Sequence, residues 1–372
     1  MKVPFYDAVR EYSLYKAEFD GAIAKVLESG AFILGKQVRD FEDAVCAYTG
    51  AKYAVGCANG SDALVIASDI LGFKKGAEVV TPAFTFFASA SCIARLGGIP
   101  VFCDVDADTF CMDMGDAESR LTSRTKGLLP VHLFLQAADM ARCMGIAEKY
   151  GLAVLEDAAE AFGMSARRDG ERRHAGLFGD FGVFSFFPTK TLGGYGDGGM
   201  LVTNSEELYE KAKSYRSHGA TKKYFHDYIG YNSRLDTLQA AILSVKLSRI
   251  DAAIQKRAGH AAQYREMLAG IDEIKLPAIQ SKGDEANYVF CLRAKKRDEL
   301  QEHLNGNGIG TSVYYPVPLH LQKCFEHLGY KKGDFPVSES LCLTALALPM
   351  FPELTEDEVS FVCESVKEFY RK

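Results

Sequence analysis

Hydrophobic positions near the start of the chain recur at helical spacing. Phe19, Ile23, Val26 and Leu27 share one face of residues 14–29, a run that stops at Ser29-Gly30, and a second helix is predicted over 38–48. The period then changes. Short β-rich runs at 53–57, 78–81, 99–103, 127–131 and 153–155 alternate with helical patterns at 62–71, 87–96 and 138–150. Alternation of this kind predicts an α/β fold with a mostly parallel sheet covered by helices, and such sheets bind ligands at the carboxyl ends of their strands. Further on, a helix is predicted over 205–216. A long helix opens after Gly230-Tyr231-Asn232-Ser233-Arg234 and runs to about Leu268; a strand at 288–292 and helices at 297–306 and 356–370 follow. This pattern predicts a large domain over 1–250 and a smaller C-terminal α/β domain over 251–372.

Chemistry is therefore sought just after each strand. After 53–57 comes Asn59-Gly60-Ser61-Asp62, where free backbone N–H groups and a hydroxyl at a helix start can cradle an anion, or where Ser61 or Asp62 simply caps the helix. After 78–81 come Phe84, Phe86 and Phe87, which are either core or a platform for a flat heteroaromatic ring. After 153–155 come Glu156, Asp157 and Glu160, acids that are costly to bury without partners. Asp157 can pair with a protonated ring nitrogen or cap a helix.

The stretch from Asp180 to Thr203 adds a lysine, Lys190, after the apolar run Phe181, Val183, Phe184, Phe186, Phe187. Held among aromatics, it is expected to lose hydration and to have a lowered pKa, as a nucleophilic amine needs. Gly194, Gly196 and Gly199 spell G-x-G-x-x-G, but they run into the β-like Met200, Leu201, Val202, Thr203 rather than a helix, which argues against a dinucleotide site. They are expected instead to form a turn that lets backbone pass close to a bound group. An anion cradle, a stacking aromatic, a strand-end acid and an amine are together the parts that pyridoxal phosphate requires.

Composition narrows the classes. The 372 residues carry a net charge of −6, which argues against nucleic acid as a partner. Ten cysteines include no C-x-x-C pair and no metal-ligand spacing, so buried free thiols and no metal are expected. The N-terminus lacks a signal-type apolar core, and no apolar run approaches the roughly 20 residues that span a bilayer; a cytoplasmic protein is expected.

Seven stretches also match a known family. NGSDAL (59–64), TPAFTFFAS (81–89), KGLLPVHLF (126–134), LEDAAEAFG (155–163), GDFGVFSFFPTKTLGGYGDGG (179–199), GYNSRLDTLQAAIL (230–243) and YYPVPLHLQ (314–322) resemble the DegT/DnrJ/EryC1/StrS sugar aminotransferases. The resemblance implies the fold type I architecture of pyridoxal-phosphate transferases. It makes Lys190 the Schiff-base lysine, Asp157 the partner of the pyridinium nitrogen, and Phe86 the ring platform. Ser61, Asp62 and Ser185 fall at the phosphate site. Asn232 matches an asparagine that reaches the phosphate from a neighbouring subunit, which implies a homodimer with shared sites. Tyr315 and His320 lie in a segment on the substrate side, and Lys222, Lys223 and Arg234 are candidates to hold a nucleotide diphosphate.

Two positions depart from the family pattern: Glu160, near the cofactor's phenolic oxygen, where Gln or His is common, and Leu135, where Gly is common. The implied reaction moves an amino group from an amino acid, expected to be glutamate, to the keto group of a nucleotide-linked sugar, as in glycan or polysaccharide biosynthesis. The Asn-Ser-Arg-Leu-Asp run at 232–236 resembles that of enzymes acting at C3; amination at C4 is the alternative. Sugar dehydratases of the same fold replace the lysine with histidine, and a non-catalytic regulatory protein would be expected to carry a DNA-reading element; neither feature is present in the sequence.

Overall fold

The computed structural model describes residues 1–279 and 283–371. Seven strands form the main sheet: β1 (Tyr53–Cys57), β2 (Glu78–Pro82), β3 (Ile99–Cys103), β4 (Thr125–Leu128), β5 (Ala153–Asp157), β6 (Phe181–Ser185) and β7 (Gly199–Thr203). Their order is β1-β7-β6-β5-β4-β2-β3. Only β7 runs against its neighbours, pairing antiparallel with both β1 and β6. β2 and β7 are buried along their whole length, as expected of strands covered on both faces.

Register decides which strand ends meet. Cys57 and Ser185 are both paired with Gly199, and Asp157 is paired with Val183. The carboxyl ends of β1, β5 and β6 therefore lie side by side. Their closeness requires absent side chains: a Cβ on Gly199 would come 2.3 Å from the carbonyl carbon of Asn59, and one on Gly60 would come 2.8 Å from the Ser185 Cβ.

The helices end where sequence chemistry stops them. Lys16–Ser29, Lys36–Thr49 and Met140–Tyr150 each finish on a glycine with positive φ, at Gly30, Gly50 and Gly151. The long helix expected to reach Leu268 is in fact two, Thr237–Leu247 and Ile250–Leu268. At the break Ser248 donates its hydroxyl to the Val245 carbonyl at 2.7 Å, a local bond that competes with continuing the helix. The turn at 158–164 likewise replaces the helix expected after Asp157.

A smaller sheet joins Ile274–Lys275, Phe290–Ala294 and Ala345–Leu348 in antiparallel pairs. Over it lies a second buried cluster, built from residues such as Tyr264, Leu300, Leu346 and Val362, which also takes in Val3 from the start of the chain. Nine of the ten cysteines are buried or half-buried, Cys324 is exposed, and all ten are free thiols. Burial pushes the Cys57 and Cys92 thiols up to about 12. No helix among the described residues is long and apolar enough to cross a membrane.

Gly199→Ala should lower the free energy of unfolding by about 1–3 kcal/mol, because the added methyl meets backbone that cannot swing aside. Gly145→Ala, inside a helix with nothing within 4 Å, should raise it by about 0.5–1 kcal/mol. Denaturant unfolding of the two variants checks both signs.

Candidate active site

The three acids after β5 do different work. Glu156 has no exposed surface and accepts four hydrogen bonds: from His132 Nε2 at 2.9 Å and from the N–H groups of Gly176, Phe178 and Gly179 at 2.7–2.8 Å. His132 Nδ1 in turn accepts from the Ala138 N–H at 3.0 Å, so its proton sits on Nε2, facing Glu156. Glu156 is thus a fully satisfied clasp between the β4–β5 side of the sheet and the loop that leads into β6.

Asp157 is also buried, but its partners are neutral. Its Oδ2 accepts from the Ser89 hydroxyl at 2.7 Å and its Oδ1 from the Ala159 N–H at 3.2 Å. Ser89, whose proton is committed to Asp157, receives the Thr85 hydroxyl at 3.1 Å. Burial raises the Asp157 pKa, and the Ser89 bond only moderates the effect. Among the described residues no cation lies within ion-pair distance of Asp157.

Glu160 meets the lysine directly. Its Oε1 is 3.1 Å from Lys190 Nζ, and its Oε2 accepts the Phe134 N–H at 2.9 Å. Lys190 Nζ also lies 4.5 Å from the centroid of the Tyr288 ring. This overturns the expectation of a lowered pKa. Burial does push Lys190 downward, as the sequence suggested, but the charge of Glu160, with Tyr288 and Asp157 behind it, outweighs burial and leaves the amine raised above its ordinary value.

The cradle is complete in outline. Asn59 is the N-cap of the helix Gly60–Ile70, its side chain accepting the Asp62 N–H at 2.7 Å, so neither Ser61 nor Asp62 is used as the cap. Ser61 stands exposed at that helix start, with Ser185 packed against Gly60. Phe86 is 57% exposed, its ring 6.3 Å from that of Tyr315, which leaves a face free for stacking. Ser233 accepts the Ala58 N–H at 3.2 Å and so draws the 230–236 segment to the end of β1, with Asn232 exposed and Arg234 half-buried beside it.

Three expectations change. His320 does not line an open face: it is 1% exposed, packs at 4.6 Å on the Phe335 ring, and bonds Glu339 at 3.1 Å. Gly194 and Gly196 make room for the Gln239 side chain, and Gly199 for Asn59, so the close approach these glycines permit is to protein as well. Leu135 needs no glycine, because the positive φ in its turn falls on Phe134, at 61°, and Leu135 itself is buried. Ser89 and Tyr288 were missed as site residues. Ser89 had a signal, standing one turn after Thr85 in TPAFTFFAS; Tyr288 read only as the start of a strand.

Comparison with known proteins bears on this arrangement. The sequence profile of the DegT/DnrJ/EryC1/StrS aminotransferase family matches residues 14–367. The chain belongs to that family. Among its relatives is the pleiotropic regulatory protein of Geobacillus stearothermophilus, 47% identical over 100% of this chain and 99% of that one. The UDP-N-acetyl-3-dehydro-alpha-D-glucosamine 3-aminotransferase of Acidithiobacillus ferrooxidans is 40% identical over 98% and 97% of the two chains. The solved structure of S. venezuelae DesV in complex with a ketimine intermediate superposes with a TM-score of 0.96 at 38% identity, covering 100% of this chain and 99% of that one. The fold type I architecture expected from the sequence is the one found.

The residues present fit the cofactor of this family. A buried carboxylate without a cation, Asp157, suits a protonated ring nitrogen; the Gly60–Ser185 contact at a helix N-terminus suits a phosphate; and Phe86 offers an uncovered ring. Replacing Glu160 by Gln removes the charge that raises Lys190 and leaves burial, so the amine should become neutral at lower pH. The rate at which cofactor-free protein takes up pyridoxal phosphate, followed by absorbance from about pH 6 to 10, should then rise at lower pH than in the wild type. Superimposable profiles would show that Glu160 does not set the charge of Lys190.

Proposed function

We propose that the protein is a nucleotide-sugar aminotransferase that uses pyridoxal phosphate to place an amino group on C3 of a keto sugar. The observation that carries this reading is the meeting of the Lys190 turn, buried Asp157 and the Gly60–Ser185 cradle along one row of strand ends. The 3-aminotransferase of Acidithiobacillus ferrooxidans among its relatives supports the C3 position. The regulatory name of the Geobacillus relative does not weigh against catalysis, since Lys190, Asp157 and the cradle are all present here.

When bound, the cofactor supplies an aldehyde for covalent attachment and a protonated heteroaromatic ring that draws electrons away from the reacting carbon. Asp157 would keep that ring nitrogen protonated, Phe86 would lie against the ring face, and Ser61, Asp62, Ser185 and the backbone of the helix start would hold the phosphate. Lys190 is the attachment point, and its freed amine takes the proton from the α-carbon of the amino donor, for which we propose glutamate. Glu160 holds that same amine protonated, so proton transfer by Nζ requires the 3.1 Å contact to loosen. Tyr315 and Arg234 are assigned to the sugar and its diphosphate, together with Lys222 and Lys223.

A homodimer with shared sites belongs to the same reading. Asn232 is exposed and its side chain has no partner among the described residues, while Tyr224 and Ile229, close before it, are 81% and 96% exposed. Together with the exposed Phe225 between them, these apolar side chains support a contact surface in this segment. We take residues 1–250 as the cofactor-holding part and 251–372 as the smaller one, a division supported by the separate buried cluster around Tyr264 and Leu346.

Lys190→Ala should reduce turnover to below about a thousandth of wild type. A panel of UDP-, dTDP- and GDP-linked 3-keto and 4-keto sugars with glutamate as donor tests the substrate; amination confined to 4-keto sugars would move the reaction to C4. Mixing Lys190→Ala with Asn232→Ala chains should restore part of the activity lost in each, because one site of a mixed dimer receives both intact residues. No recovery between chains shown to exchange would place Asn232 outside a shared site.

A further inference from the structure

A cavity of about 310 Å³ lies against the turn that carries Lys190. It shares Lys190, Thr191 and Gly193 with that turn, but none of Asp157, Glu160, Ser185, Phe86 or Tyr315 lines it. Its other walls come from the first helices, from the two helices that meet at Ser248, and from Pro352 and Glu353.

The charge around the cavity is unbalanced. Lys246 is paired with Glu11 at 2.6 Å, and Arg249 is paired with Glu18. Arg257 and Lys256 have no such partner among the described residues. Arg257 is 2% exposed, yet it touches no carboxylate: Nη1 donates to the carbonyls of Tyr288 and Met350 at 3.0 and 2.8 Å, and Nε has no hydrogen-bond partner. A buried guanidinium with an unused donor is costly unless an anion reaches it. The one remaining acid of the lining, Glu353, stands against these two cations, so one positive charge is left over even with Glu353 ionised. The rest of the lining includes Phe19, Val245, Ile250 and Pro352, which suits hydrocarbon better than a fully hydrated ion.

We propose that this cavity binds a short-chain organic carboxylate, its charge held by Arg257 and Lys256 and its carbon chain lying against the apolar wall, at a place that borders the Lys190 turn but includes none of the other residues assigned to amino transfer. The arrangement joins charge-assisted donors to apolar cover, as small-molecule sites do. Because the Lys190 turn forms one wall, an occupant also braces the segment that carries the reacting amine.

The test titrates the holoenzyme, its phosphate cradle already filled, with succinate by calorimetry, and in a parallel arm with inorganic phosphate. Succinate has neither an amino nor a keto group, so it is not turned over. One saturable succinate site per chain is expected. Lys256→Gln, an exposed change, should weaken it about ten-fold, the loss of one charge-assisted contact. Ala253→Leu, which fills the cavity from the helix Ile250–Leu268, should abolish it. Turnover without succinate should be unchanged in both variants. Absence of saturable binding overturns the proposal, as does binding by phosphate alone. Succinate binding that survives both substitutions also overturns it, because the ligand would then occupy the transfer site.

Discussion

The site depends on a carboxylate that takes no part in its chemistry. Glu156 is sealed from water at the end of β5 and fills its acceptor positions with His132 and three backbone N–H groups from the loop before β6. That loop must also sit close to the sheet, where Gly182 has no room for a Cβ beside the Gly176 carbonyl, 2.1 Å away. The bonds to Glu156 and the missing side chain at Gly182 fix where β6 begins. The start of β6 fixes where it ends, and its end places Ser185 against Gly60 and sets the turn that carries Lys190. A buried carboxylate is tolerated here because every partner is a preformed donor, which an apolar residue at the same place would leave unsatisfied.

One residue further on, the same strand end works the opposite way. Asp157 has only two neutral donors and remains short of compensation, so its pKa is raised in the protein alone. A carboxylate in that condition gains more from a cationic partner than a well-solvated one does, since the Coulomb attraction is weakly screened in the interior. Glu156 and Asp157, adjacent in sequence and both buried, are separated in role by how many donors the fold gives each. The neighbouring acid, Glu160, is compensated by Lys190 itself, and its charge is the largest influence that works against burial to raise the amine.

The sequence carried the frame of this site well and its charges poorly. The strands Tyr53–Cys57 and Ile99–Cys103 and the helix Arg297–Gly306 stand where the periodicity predicts them, because each is a continuous pattern closed by turn residues. The break at Ser248 was not legible: the apolar spacing continues through it, while the Val245 carbonyl takes side-chain bonds from both Ser248 and Arg249 at the turn. The lowered pKa expected for Lys190 followed from burial, the one influence that composition suggests. The opposing charge is that of Glu160, thirty residues away in sequence and 3.1 Å away in space. The burial of His320 was hidden for a similar reason. Its segment passes the site, but the side chain turns into a cluster with Phe335 and Tyr330 that no local pattern announces.

The division of exposure across the site sets how it can vary. Asp157, Glu160, Ser89 and Tyr288 are buried in contacts that each constrain a strand end or the amine, so a change in any of them is felt by the others. Phe86, Ser61 and Asn232 stand exposed at the rim of the same row, with few bonds to neighbouring side chains. Surface substitutions free of such bonds typically move stability by less than about 0.5 kcal/mol, whereas breaking a buried hydrogen-bond network costs several times that. Changes at the rim are therefore tolerated by the fold more readily than changes in the buried half, even where, as at Phe86 and Ser61, they bear on how the cofactor is held. Glu160 is the exception: it lies in the buried half, yet through Lys190 it acts directly on the charge that the chemistry uses.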